Sequence, residues 1–379
     1  MPRNAGSPRN LGMFNRQTAV DAKFPVGRKR GATPNTSPHN VRLYGRSLLL
    51  VTVRPLVIAH RGASGYRPEH TAAAYRLAIR QGAEAVEPDL VATSDGVLVV
   101  RHENEISGTT DVAGHPEFAG RHTTKTVDGI SLSGWFTEDF TWAELSTLRS
   151  RERLPDVRPG NAGFDGREGI LRLEDLVDLL EAADRDVIMV AELKHATYFD
   201  ALGLPLEQLF APGIARWARP GNLVVESFEQ TVLGAVQQLD VPGRVVFLAD
   251  AAGSPADQVA QHGAGAKSFA DYLTDDGLAT LAAEVDGVSV DKALLLAKDY
   301  RGNVTGTTDL AERARSAGLE TYTWTLRAEN RFLEKNFRHG RHPEDFGHWQ
   351  REFELIMRSG VDGVFADQPD LALRARAAL

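Results

Sequence analysis

Eight short apolar runs, at 56–60, 84–89, 186–194, 222–227, 244–249, 287–291, 320–326 and 362–366, read as strands, and helical spacing separates nearly all of them. A strand, a helix and a further strand in succession pair in parallel. The last run lies near the chain terminus, where it can pair with the first. Eight alternating units therefore predict a closed (β/α)8 barrel, a TIM barrel of the α/β class, over an open doubly wound sheet. His60-Arg61-Gly62-Ala63-Ser64-Gly65 follows the first run without G-x-G-x-x-G spacing, so a dinucleotide fingerprint is missing.

Helical spacing covers 70–81, closed by Gly82, then 173–183, a stretch to about 218, 229–239, much of 255–284, 309–317, closed by Gly318, and 352–359. From about 103 to 167 the alternation breaks down. Only 141–150 reads as a helix there, among scattered aromatics, and about sixty residues are too many for an ordinary loop. The segment is expected to be a subdomain inserted after the second β unit, at the mouth of the site. A second insertion is expected at about 327–348.

Residues 1–46 hold nine Lys or Arg and one acid, Asp21, with no apolar periodicity, and read as a disordered basic arm. Residues 47–379 form the barrel domain. Taking the nine from 43 basic residues and the one from 51 acidic residues leaves the body at −16. A basic arm can touch nucleic acid or anionic lipid, but a solvated tail or a start placed too early explains it more simply, and a body so acidic argues against nucleic acid. With no cysteine, disulfides and thiolate metal sites are excluded. No run is long enough to span a bilayer and no secretory signal stands out. A soluble cytoplasmic protein without stable membrane association is expected; a misassigned start would leave room for an export signal. Oligomeric state is left open.

Functional groups of a barrel sit at the C-terminal ends of its strands. His60 and Arg61 end the first run, and Glu87 and Asp89, two apart and so on one face, end the second. An Asp95-Gly96 turn then leads to a returning strand, 97–100, that ends on His102. Glu192 and Lys194, again two apart, end the third run. Charged pairs in apolar strands are costly to bury without partners. Three carboxylates, Glu87, Asp89 and Glu192, therefore want a cation, and an all-oxygen set suits Ca²⁺ or Mg²⁺ better than zinc. Any one of these acids alone is more readily a cap or an ion-pair partner; their joint occurrence with two histidines is what points to metal-assisted chemistry on a phosphate ester. Phe228 and Trp324 are weaker candidates, as fit for the core as for a substrate pocket. His115, His122 and His195 read as surface or supporting residues.

The run HRGASGYRPEHT from His60, the Glu-Pro-Asp at Glu87 to Asp89, the strand ending on His102, ELK at Glu192 to Lys194, TWTLRAENRF and the closing GVDGVFADQPD resemble the glycerophosphodiester phosphodiesterase family, in its bacterial glycerophosphoryl diester phosphodiesterase branch. The likeness runs from about residue 56 to the end. One departure is visible: the family usually has His-Asp where this chain has His102-Glu103. The resemblance implies a metal-dependent hydrolase, active in lipid and glycerol metabolism, that cleaves small-molecule glycerophosphodiesters to sn-glycerol 3-phosphate and an alcohol. It makes His60 and His102 the catalytic acid and base, Glu87, Asp89 and Glu192 the metal ligands, and Arg61 and Lys194 the phosphate contacts. It also favours Ca²⁺ over Mg²⁺ as the one divalent cation. Two rivals remain: a lyase that stops at a cyclic phosphate, and an inactive glycerophosphodiester-binding protein. Both histidines and all three carboxylates argue against the second.

Overall fold

In the computed structural model residues 54–379 are described, and the basic arm read at 1–46 lies outside them. The strands in chain order are β1 Leu56–His60, β2 Ala85–Glu87, β3 Asp89–Ala92, β4 Leu98–Val100, β5 Thr123–Val127, β6 Ile130–Gly134, β7 Ile188–Leu193, β8 Leu223–Ser227, β9 Arg244–Ala249, β10 Gly287–Asp291, β11 Leu296–Lys298, β12 Val304–Thr307, β13 Glu320–Leu326 and β14 Gly363–Ala366. Parallel pairing runs β1, β2, β7, β8, β9, β10, β13, β14 and back to β1, which closes a barrel of eight strands with helices between them. All eight expected runs supply its staves, and the barrel is a TIM barrel.

The period-two pattern divides each stave. Ile58, Val190, Val224, Val246, Tyr322 and Phe365 turn inward and pack on one another, while neighbours such as Val57, Ala191, Val225 and Val364 join the larger core under the helices. Inward residues one step beyond this apolar layer carry the site.

The second stave is interrupted. Pro88, which has no N–H to give, separates β2 from β3, and its carbonyl accepts from the Glu192 amide at 2.9 Å. β3 continues along β7 with Asp89 opposite Glu192. It then turns at Asp95-Gly96, where Gly96 has φ +74°, and β4 returns antiparallel to it. That return carries the chain to His102.

The helix Ala72–Gln81 starts at Thr71, whose hydroxyl accepts from the Ala74 amide, and stops at Gly82 in the left-handed region. It packs so closely on the loop after β1 that a Cβ on Gly62 (φ +82°) would lie 2.8 Å from the Ala74 backbone. The helix expected over 141–150 covers only Trp142–Leu145. The hairpin of β11 and β12 is outside the expected elements, and so are two others. One is the hairpin β5–β6, turned at Asp128-Gly129 with both residues at positive φ, as a two-residue turn of this kind requires. The other is the helix Pro369–Ala377, whose Arg376 grips Glu84 at 2.6 and 2.9 Å beneath the barrel. Among the described residues no helix is long and apolar enough to cross a membrane.

Candidate active site

At the C-terminal mouth of the barrel a small cavity of about 70 Å³ is lined by His60, Glu87, His102, Glu192, Lys194 and Glu226, with Phe228, Leu248, Trp324 and Phe365 as apolar walls. Both expected histidines thus face the same cavity. Each is held at the same ring atom. His60 donates Nδ1–H to Asp367 at 2.6 Å, and His102 donates Nδ1–H to Glu103 at 2.6 Å. A carboxylate can only accept, so both rings keep the tautomer with an unprotonated Nε2. Burial, with Arg61 beside it, lowers the His60 pKa to about 4. Burial, with Arg61 and Lys194, lowers that of His102 to about 3. Both imidazoles are neutral at pH 7.

Arg61 sits in the left-handed region (φ +60°), which turns its amide onto Glu87 Oε2 at 2.7 Å. Its guanidinium pairs with Glu69 at 3.1 Å and Asp89 at 3.3 Å. Lys194 lies 2.9 Å from Glu192, 3.5 Å from Asp89 and 5.7 Å from the Phe228 ring centre. The Phe228 ring meets Trp324 edge-on at 5.8 Å. Both cations expected to contact phosphate are therefore buried beside the carboxylates, their charge preserved by them.

The carboxylates group differently from the expectation of Glu87, Asp89 and Glu192. Oxygens of Glu87, Glu192 and Glu226 all lie within 4.8 Å of one another, and these are the acids gathered closely enough to hold one ion among the described residues. Asp89 stands opposite Glu192 but is occupied: Oδ2 accepts from His70 Nε2 at 2.8 Å, and Arg61 and Lys194 approach it. Burial would raise its pKa, but Lys194 and Arg61 outweigh that and hold it well below the usual carboxylate range. The other three respond oppositely. Burial pushes Glu87 and Glu226 well up, and Glu192, with only Lys194 to offset its burial, to about 8. Three buried acids that keep protons for lack of positive charge form an oxygen-rich cradle suited to a divalent cation.

A model of the glycerophosphoryl diester phosphodiesterase family matches residues 60–371. The chain belongs to this family. It is 30% identical to the glycerophosphodiester phosphodiesterase GDPD6 of Arabidopsis thaliana over 84% of this chain and 85% of that one, and 24% identical to a glycerophosphodiester phosphodiesterase of Bacillus subtilis over 85% and 87%. Among solved structures, an Oleispira antarctica phosphodiesterase in complex with the product sn-glycerol-3-phosphate shares the fold at TM-score 0.52, with 19% identity and coverage of 85% of this chain and 96% of that one. A glycerophosphoryl diester phosphodiesterase of Parabacteroides distasonis does so at TM-score 0.52, with 16% identity and 86% coverage of each chain.

In this phosphodiesterase-family chain the site is held by residues that strand-end reasoning did not reach. Arg153, between β6 and β7, binds Glu103 at 2.6 and 2.7 Å and Glu69 at 2.5 and 2.8 Å. The one-methylene departure at Glu103 is thus accommodated, since that carboxylate spans His102 and Arg153. Arg158 binds Asp367 and Glu329, each at 2.7 Å, and Arg327 binds Asp367 at 2.7 Å. His70, read as a helix start, is left-handed (φ +57°) and buried between Asp89 and the Tyr75 hydroxyl. Glu226 carried a readable signal: it lies two residues after Val224 and two before Phe228, on the inward face of β8. His195 bonds Asp128 at 2.5 Å, His115 lies beside Glu117, and His122 is exposed against Trp135, all outside the cavity lining.

Proposed function

We propose that this phosphodiesterase hydrolyses small-molecule glycerophosphodiesters with the help of one divalent cation, releasing sn-glycerol 3-phosphate and an alcohol, with His60 and His102 as the general acid and base. The observation that carries the reading is the pair of imidazoles in one cavity, each tied at Nδ1 to a carboxylate with Nε2 left to exchange a proton. The family and its named relatives support the substrate class. Glu87 and Glu192, whose oxygens lie within 4.8 Å of each other, and Asp89 in register with Glu192 are the proposed holders of the cation, with Ca²⁺ favoured because a set of oxygens on separate strands suits its adaptable shell. A bound cation would supply charge neutralisation at the phosphoryl oxygens.

The chain's own groups do the rest. Arg61 and Lys194 offer fixed positive charge to an anionic diester, and their buried setting strengthens that attraction. One neutral imidazole accepts the proton of the attacking oxygen at Nε2. The other must arrive protonated, and the negative phosphate favours this by offsetting the cations, Arg61 first among them, that add to burial in lowering its pKa. Phe228 and Trp324 are proposed to close the cavity against water around the substrate.

The test is release of sn-glycerol 3-phosphate from glycerophosphocholine by the full chain, with EDTA, then Ca²⁺ or Mg²⁺ added back, beside His60→Ala and Glu87→Ala. Activity that EDTA abolishes, one cation restores and both substitutions remove is the expected result. Turnover untouched by EDTA would sink the cation, and cyclic phosphate as sole product would move the reaction to the lyase class.

A further inference from the structure

Glu226 is a buried acid that the two-histidine chemistry does not use. It is 1% exposed, and it sits on β8 directly across from Glu192 in register. Among the described residues its Oε2 has no hydrogen-bond partner, and no Lys, Arg or His pairs with it. Neighbouring acids behave otherwise. Asp89 has His70, and Glu192 has Lys194. A buried carboxylate without partner is among the costliest groups to keep in a barrel interior. A plain packing role would be served by another Val, as at Val224 two residues before it.

Its position gives the reason. The Glu226 oxygen lies within 4.8 Å of oxygens of Glu87 and Glu192. Two oxygens on one ion can be no farther apart than twice the metal–oxygen bond, roughly 4.6–5.2 Å for Ca²⁺. All three can therefore reach a single ion. Glu192 Oε1, across from it on the adjacent stave, lies 2.9 Å from Lys194 Nζ, so among the described residues the Glu226 oxygen is the one of this pair left without a charged partner.

We infer that Glu226 is a direct ligand of the catalytic cation, adding an oxygen from the fourth stave of the barrel to those of the second and third. This rests on the cation reading above and extends its ligand set. Arg61 and Lys194 are the cations beside Glu87, Asp89, Glu192 and Glu226, and Arg61 is shared with Glu69, so the ionised acids outnumber them, and a divalent cation offsets the excess. The ion is then held by the protein before substrate arrives.

Binding decides this without recourse to turnover. Tb³⁺ luminescence, excited through the tryptophans and sensitised by Trp324 on the cavity wall, reports the ion in the full chain, and Ca²⁺ displacement gives its affinity. Glu226→Gln, equal in shape, should weaken Ca²⁺ by about tenfold or more, with the metal-free Tm unchanged or raised, and Glu226→Asp should fall between. Glu229→Gln, which removes a nearby buried acid outside the cavity lining, should leave affinity as it is. If wild type binds and Glu226→Gln binds as tightly, the ligand assignment fails while the cation reading stands. If Glu229→Gln weakens binding equally, the effect is long-range charge and the assignment fails. If wild type binds neither Tb³⁺ nor Ca²⁺, both fall.

Discussion

His60 and Asp367, 307 positions apart in the chain, are joined by a 2.6 Å hydrogen bond across the seam where β1 meets β14. Asp367 also receives Arg158 and Arg327, so one carboxylate fixes the ring of a proposed catalytic residue and pairs with one buried and one partly exposed guanidinium. Asp367→Asn should therefore lower kcat by roughly a hundredfold or more and lower the Tm as well. Steady-state kinetics with a thermal melt checks this. A fall in Tm with kcat intact would mean that the aspartate serves the fold alone.

The free site holds both imidazoles far below the ordinary histidine value, near 4 for His60 and 3 for His102. A depressed pKa keeps the base competent as pH falls, so the acid limb of kcat/KM should lie below about pH 5 rather than at the usual 6.5. The kcat profile, which reports the substrate complex, should be displaced upward, because the phosphate's negative charge favours the protonated ring. An acid limb of kcat/KM at or above 6.5 contradicts the geometry.

Glu103 reaches both His102 and Arg153. Glu103→Gln removes the charge and should reduce kcat about tenfold or more, since a neutral amide orients the ring less firmly. Glu103→Asp restores the family's usual residue but is one methylene shorter. It should keep most of the activity while losing the Arg153 contact, at about 1.5–3 kcal/mol of stability, the range for a hydrogen bond to a charged group. Denaturant unfolding of the two variants separates the effects.

Gly62 has no room for a side chain. Gly62→Ala puts a methyl 2.8 Å from the Ala74 backbone at a positive φ, so the loop carrying Arg61 must shift. We expect a stability loss of about 2 kcal/mol or more, with a rise in KM as Arg61 leaves its place. Unchanged KM in a folded variant would show that Arg61 does not meet the substrate.

The barrel was legible because each stave carries its own short apolar run and each helix its own stops, Gly82 and Gly318 among them. His60, Glu87, His102, Glu192 and Lys194 were legible as charges at strand ends, where a barrel exposes its mouth. What escaped depends on partners distant in sequence. Asp367 and Arg158 look like ordinary surface charges until the fold sets them 2.7 Å apart. Glu226 is a lone acid in an apolar strand, and only its alignment with Glu192 gives it meaning. The β5–β6 hairpin, by contrast, is written locally in Asp128-Gly129, though the long irregular stretch around it masks the signal.

The seam at β1 and β14 also governs timing. At roughly 5–20 residues per second, a ribosome needs about 15–60 s to travel from His60 to Asp367. Throughout that interval the first stave has no last stave to pair with, and the histidine no carboxylate to orient it. A chain cut short before β14 would be a barrel with a gap and a ring free to turn. Closure of the barrel and orientation of the His60 ring therefore depend on the same late segment, Gly363 to Asp367.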